Sequence, residues 1–250
     1  MEKRGKWETI KELGEGGQGR VFLAYDTTQF NPLNNASMAA RDIGLLAGAT
    51  TAEQRPQILL RVVEALRAAD VVRNLAILGA LKILHKPKGD PGYDKAKARM
   101  AREVRAYEAA NHPNLLRILD RNLDEDWIVT EYQSDGTLAD RLALYRGDLL
   151  GALVAIRPLV DAVAQLHFVN AVHRDIKPAN IFFGGDGRLI LGDAGLIFFG
   201  DEKHSRVSDT FENVGSRDWM PAWAYGRRIE DIRPRFDVFS GQASVVDDCR

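Results

Sequence analysis

Between residues 173 and 195 the chain carries His173, Arg174, Asp175, Ile176, Lys177, Pro178, Ala179 and Asn180, and then Gly192, Asp193, Ala194 and Gly195. Asp175 is a carboxylate of the kind that takes a proton, and Lys177 places a cation two positions away. Asn180 and Asp193 bring side-chain oxygens, the ligands that hard divalent cations prefer. A base, a cation and two oxygen ligands are the parts that phosphoryl transfer demands, because that chemistry is mostly positioning and charge neutralisation.

Two further groups of residues belong with these. Lys82 lies within the apolar run Ala80, Leu81, Lys82, Ile83, where a buried ammonium is costly without an anion beside it; the plainer reading is a strand-edge lysine whose stem reaches water. Helical spacing sets Glu103 on one face with Ala96, Met100, Tyr107 and Ala110, an apolar stripe on which a lone carboxylate is out of place. Each of the two explains the other. Near the start, Gly14, Gly16 and Gly19 precede Val21 in the pattern GxGxxGxV, which lets backbone N–H groups approach phosphates. Taken alone, such a cluster is more often a plain turn.

The elements that must position these residues can be read from periodicity. Strands are expected at residues 7–13 and 20–25 around the glycines, at 75–84, at 115–119 and at 127–131. A helix is expected at 93–110, ended by Asn111, His112 and Pro113, and a longer one at 149–168, with Pro158 starting or kinking part of it. A hairpin at 181–191 turns at Gly184, Gly185, Asp186 and Gly187. Within residues 27–74, Leu59, Val62, Val63 and Leu66 share a helical face, and Thr50 with Glu53 forms its capping box.

Composition narrows the classes. With 250 residues and 45% hydrophobic content, the chain can bury a large core as one domain or two lobes. The 34 basic and 35 acidic residues give a net charge of -1, so nothing points to nucleic acid or to an anionic membrane surface. The amino terminus alternates charged and apolar residues where a signal peptide needs an apolar run, and no later stretch reads as a membrane span. The single cysteine, Cys249, makes no internal disulfide. Together these predict a cytoplasmic protein.

These motifs, at these spacings, resemble the eukaryotic-type protein kinase family from about Trp7 to about Ser240. A loop salt bridge would explain an isolated His-Arg-Asp, but not Lys177, Pro178 and Asn180 falling at the family's offsets as well. The resemblance implies an α+β, two-lobed protein kinase-like fold: a five-stranded antiparallel β small lobe and a mainly helical, incomplete large lobe. It sets the lobes at residues 7–132, with 27–74 inserted, and 133–240, with a divergent tail at 241–250 that reads as truncated or altered.

The same resemblance implies ATP and Mg2+ in a cleft. Asp175 would orient the substrate hydroxyl and take its proton, with Lys177 against the transferring group, in the serine/threonine pattern HRDxKPxN. Lys82 would hold the α- and β-phosphates and Glu103 would orient it, while Asn180 and Asp193 would be the metal ligands. The nucleotide-contacting set extends to Leu13, Gly14, Glu15, Gly16, Gly17, Gly19, Val21, Ala80, Lys82, Thr130, Glu131, Gln133 and Phe182, with Thr130 as gatekeeper and residues 131–133 as hinge. Arg174 is expected to pair with a phosphorylated residue of the following loop, Thr210 or Ser208, and Ser216 to help position the acceptor.

Departures from the pattern are equally plain. Ala194 stands where the family has phenylalanine, leaving space that Tyr107, bulkier than the usual leucine, is expected to fill in part. Pro221, Ala222 and Trp223 replace Ala-Pro-Glu. The inserted helix reads as packing on the small lobe, ahead of a surface that docks a partner. The implied reaction is transfer of the γ-phosphoryl group to serine or threonine of a protein substrate, with no nucleic-acid partner. The alternatives are a pseudokinase or nucleotide-binding scaffold without turnover, and a small-molecule kinase of the aminoglycoside type.

Overall fold

A computed structural model describes residues 2–16, 19–28, 78–200 and 234–246, with Trp219 and Pro221. The inserted helix and its capping box, Gly17, the loop hydroxyls Ser205, Ser208, Thr210 and Ser216, Trp223 and Cys249 lie outside the described residues. The chain divides into two compact units, residues 1–93 with 119–132, and residues 94–118 with 133–250. Residues 94–118 group with the second unit and not with the strands of the first.

The first unit is an antiparallel sheet of β1 (Lys3–Arg4), β2 (Trp7–Gly16), β3 (Gly19–Asp26), β4 (Leu78–Leu84), β5 (Ile118–Asn122) and β6 (Trp127–Glu131), in the order β1-β2-β3-β4-β6-β5. The five strands expected become six, because β1 adds an edge pairing Lys3 with Glu8 and Arg4 with Trp7. Two residues carry no alternation, so periodicity had nothing to report there. Strand side chains alternate between faces, and the registers put Trp7, Phe22, Ala24, Leu81, Ile83, Trp127 and Val129 together in one core. Gly79 lies beneath this core, where a Cβ would come within 2.3 Å of Val129 and 3.0 Å of the Trp7 ring.

Buried polar groups tie the sheet's ends. Trp7 Nε1 donates to Asp120 Oδ2 at 2.8 Å, and Lys6 Nζ meets the buried Asp26 carboxylate at 2.8 Å. The Asp26 carboxylate also accepts from the Thr28 amide and hydroxyl. Burial alone would raise the Asp26 carboxyl, but the bonds from Lys6 and Thr28 outweigh it and hold it below the ordinary carboxylate range.

The second unit holds the helices α1 (Tyr93–Ala110, whose first residue belongs to the first unit), α2 (Leu149–Phe168) and α3 (Arg235–Val246). Two short strand pairs accompany them: β7 (Ala171–Val172) with β10 (Phe198–Phe199), and β8 (Ile181–Phe183) with β9 (Leu189–Leu191). The strand expected at 115–119 starts three residues late, at Ile118, because Leu115 and Leu116 are drawn into this unit's core and Leu115 bridges Leu191. Burial outcompetes pairing for that apolar run.

Asp148 caps helix α2, its side chain accepting from the Gly151 amide at 2.8 Å, and Pro158 sits inside the helix. Its stripe Ala152, Leu159, Ala162 and Leu166 packs in the core. By length and composition alone this helix is long and apolar enough to cross a membrane, a test that the core helix of a folded domain also passes. Helix α3 also continues past Ser240 to Val246, across the 240/241 boundary at which a divergent tail was expected. Its first turns hold it: Phe236, Asp237 and Ser240 are buried, and Ser240 Oγ donates to Trp219 O at 2.8 Å.

Candidate active site

The loop after β7 is held from below by one carboxylate. Asp237, 1% exposed at the start of α3, accepts from the backbone amides of His173 and Arg174, each at 2.8 Å, and bonds His167 Nε2 at 2.8 Å. These contacts stabilise a backbone that would otherwise be disfavoured, since Arg174 has φ +68° in the left-handed region. The Arg174 side chain turns inward, where its guanidinium donates to the carbonyls of Leu196 and Ile197 and lies 5.5 Å from the Phe198 ring. In the sequence Asp237 is only an acidic residue in the first turn of a helix. A single aspartate in the first turn looks like an ordinary dipole partner, and nothing local tells it apart from a loop anchor.

On that base the chemical residues converge. Asp175 is 8% exposed, and its Oδ2 accepts from Lys177 Nζ at 2.8 Å and from Asn180 Nδ2 at 2.9 Å. Asn180 Nδ2 also donates to the Asp175 carbonyl at 2.8 Å. Pro178–Asn180 forms one 3-10 turn that brings Asn180 back over Asp175. Among the described residues, Asp175 Oδ1 has no hydrogen-bond partner, which leaves a carboxylate oxygen able to accept a proton. Since the Asn180 amide nitrogen is committed to Asp175, its Oδ1 is the atom left for a hard cation.

Asp193 is exposed, with φ +51°, and both neighbouring peptides are pinned. Gly192 donates its amide to Asn180 O at 2.8 Å, and its carbonyl lies 3.2 Å from His173 Nε2. A Cβ at Gly192 would fall 2.6 Å from the Phe182 ring, so any larger residue would have to displace that ring. On the other side, the Ala194 amide donates to the Tyr107 hydroxyl at 3.0 Å. Tyr107 is 4% exposed; burial, then the Glu103 and Asp193 carboxylates, push its phenol well above the ordinary value, so it stays protonated. The expectation that Tyr107 occupies the space beside Ala194 agrees with this contact, but sequence reading saw only its bulk and missed its hydroxyl.

Glu103 is 3% exposed on the stripe with Ala96, Met100, Tyr107 and Ala110, all buried. A hard-cation site made of Asn180 and Asp193 offers two protein oxygens, which suits Mg2+, since that ion usually takes one or two carboxylates and completes its shell with water and phosphate. Among the described residues, no group of three or more His, Cys, Asp or Glu forms a metal cluster.

In the first unit, Lys82 pairs with Val21 and Ile128 across the sheet, and Ala80 pairs with Leu23 and Thr130. Val21, Ala80, Lys82 and Thr130 therefore share the face opposite the Trp7 and Leu81 core. Leu13, Gly14, Glu15 and Gly16 form the exposed end of β2. Side chains built at Gly14 and Gly16 would meet nothing within 4 Å, whereas one at Gly19 would fall 2.2 Å from Ile83 O. Gly19 is thus required by the close approach of β3 to β4, and open space lies above the other two. Thr130 is buried and Glu131 half-buried at the end of β6; Gln133 and Phe182, both half-buried, belong to the second unit.

The family model for the protein kinase domain matches residues 69–245. The chain is 32% identical over 248 residues to serine/threonine-protein kinase 1 of Arabidopsis thaliana, covering 97% of this chain and 23% of that protein. It is 31% identical over 146 residues to serine/threonine-protein kinase fray1 of Dictyostelium discoideum, covering 56% of this chain and 25% of that one. CBL-interacting serine/threonine-protein kinase 21 of Arabidopsis thaliana is 28% identical over 196 residues, 78% of this chain and 36% of its own length. The chain therefore spans about a quarter to a third of these relatives.

Proposed function

Because the chain belongs to the protein kinase domain family, we propose that it transfers the γ-phosphoryl group of ATP to serine or threonine hydroxyls of a protein substrate. The observation that carries this reading is the state of Asp175: one carboxylate oxygen is fixed by Lys177 and Asn180, and the other is open to a hydroxyl. In the reaction the acceptor oxygen bonds to the γ-phosphorus as the bond to the β,γ-bridging oxygen breaks. The hydroxyl proton passes to Asp175 Oδ1, and ADP leaves. Lys177, beside the same carboxylate, offsets the negative charge of the transferring group.

Asn180 Oδ1 and the Asp193 carboxylate would hold Mg2+, which when bound neutralises charge on the phosphates. As the family resemblance implies, Lys82 would bind the α- and β-phosphates with Glu103 as its orienting carboxylate, and the face carrying Val21, Ala80 and Thr130 would take the adenine. By the same resemblance, Leu13 to Gly16 would cover the phosphates, and Glu131, Gln133 and Phe182 would be the residues that meet the purine. The choice of a protein hydroxyl rests on Lys177 at its offset from Asp175 and on the three relatives named above, each a serine/threonine-protein kinase.

The test is phosphate transfer from γ-labelled ATP to casein by the purified chain, followed by phosphoamino-acid analysis. Phosphoserine or phosphothreonine is expected, falling by about 10²–10⁴-fold in Asp175→Ala and Lys82→Met variants that keep their fold. Nucleotide binding without consumption in the parent and both variants would replace this reading with the scaffold alternative.

A further inference from the structure

We propose that Tyr107 is a positioning residue for Asp193: with alanine at position 194, the phenol hydroxyl holds the 193–194 peptide by a hydrogen bond where a large side chain at 194 would hold it by packing. The inference rests on the phosphotransfer reading for the role of Asp193, but not for the bond itself.

Asp193 is exposed and sits at φ +51°, so neither burial nor backbone preference favours its conformation. The peptides on either side are the pinned points. Gly192 is tied to Asn180 and faces His173, which secures the amino-terminal side. On the carboxyl-terminal side Ala194 is 0% exposed yet contributes only a methyl group, and its amide donates to Tyr107 at 3.0 Å. Tyr107 projects from the last turn of α1, one turn after Glu103, so its hydroxyl is fixed by a helix and not by a loop. An alternative in which Tyr107 merely fills volume predicts that phenylalanine serves as well, since it keeps the ring and loses one oxygen. Removing that oxygen leaves a buried amide without its acceptor. The pair also implies a size exchange: a large residue at 107 with a small one at 194, or the reverse, but not two large ones.

The experiment uses the full chain with Tyr107→Phe, Tyr107→Leu, Ala194→Phe and the double variant Tyr107→Leu/Ala194→Phe. Three quantities are read: Tm, hydrogen exchange at the Ala194 amide by NMR, and the Mg2+ concentration giving half-maximal phosphotransfer. Tyr107→Phe is expected to keep its fold, to exchange the Ala194 amide about tenfold faster, and to need about three- to tenfold more Mg2+, with the KM for ATP at saturating Mg2+ unchanged. Ala194→Phe alone should lower Tm by about 4 °C or more, and the double variant should return the Mg2+ requirement to within about twofold of the parent. Unchanged amide exchange and Mg2+ requirement in Tyr107→Phe, or a double variant no better than Tyr107→Leu, overturns the proposal. If the parent shows no turnover, the phosphotransfer reading fails by itself. Amide exchange, with the Mg2+-dependent thermal shift given by ADP, then judges the Tyr107 bond separately.

Discussion

Lys177 and Asn180 both address Oδ2 of Asp175, yet they hold it for different reasons, and a substitution at each should report differently. Asn180 also bonds the Asp175 backbone, so it shapes the loop as well as the carboxylate. Lys177 brings a positive charge to the carboxylate, on a side chain that is partly open to solvent. Lys177→Ala is therefore expected to leave Tm nearly unchanged while lowering kcat by about 10²-fold, with little change in the KM for ATP, as steady-state kinetics would show. Residue types and spacing singled out Asp175, Lys177, Asn180 and Asp193 as candidates, because each proposed role needs a particular functional group at a particular offset. The hydroxyl of Tyr107 and the carboxylate of Asp237 were not legible in the same way. Their partners lie 87 and 64 residues away, and no local pattern encodes such a pairing.

Among the elements, α3 has a structural duty out of proportion to its length. Its Asp237 carboxylate is the acceptor for two buried loop amides, so Asp237→Ala should cost about 3 kcal/mol or more in a urea melt and lower phosphotransfer through disorder of the 173–175 backbone. The sheet has a comparable anchor in Asp26. Its carboxyl lies below the ordinary range in the folded state, so the ionised form favours folding: the contribution is complete above the ordinary value of about 3.9 and is lost as pH falls through the folded value. Lys6, raised first by its bond to Asp26, keeps its share until pH rises through a value above the ordinary lysine range. Thermal melts across pH should show the acid-side loss of stability in the parent, and Asp26→Asn should flatten it. Helices α1 and α2 and the β8–β9 hairpin were legible from periodicity and turn residues. Strand β5 was displaced because its first leucines found a better burial elsewhere.

At the scale of the molecule, the outer face of α2 stands out. Leu149, Leu150, Leu153, Val154, Val160 and Phe168 are exposed, with Leu144 nearby in sequence, and the exposed charged residues Arg157 and Asp161 interrupt them. An apolar stretch of this extent promotes association in water. Leu150→Lys with Val154→Lys is expected to reduce concentration-dependent association in light scattering while changing Tm little, since both side chains lie outside the core. Periodicity within α2 showed where a helix would form. It could not show how much of the apolar surface would remain uncovered, because burial depends on which other elements arrive.

By itself, the amino-acid sequence determined the chemical inventory, the order of the elements and the α+β character, since functional groups, turn residues and hydrophobic period are local properties of a chain. Only the tertiary structure decided which oxygen of Asp175 stays open, why Gly19 must be glycine, that α3 continues past Ser240, and that Asp237 and Tyr107 bond the backbone beside the candidate residues. Those facts are pairings between distant segments. Their geometry is fixed by close packing and by the need of buried polar groups for partners, and neither constraint exists until the chain has folded.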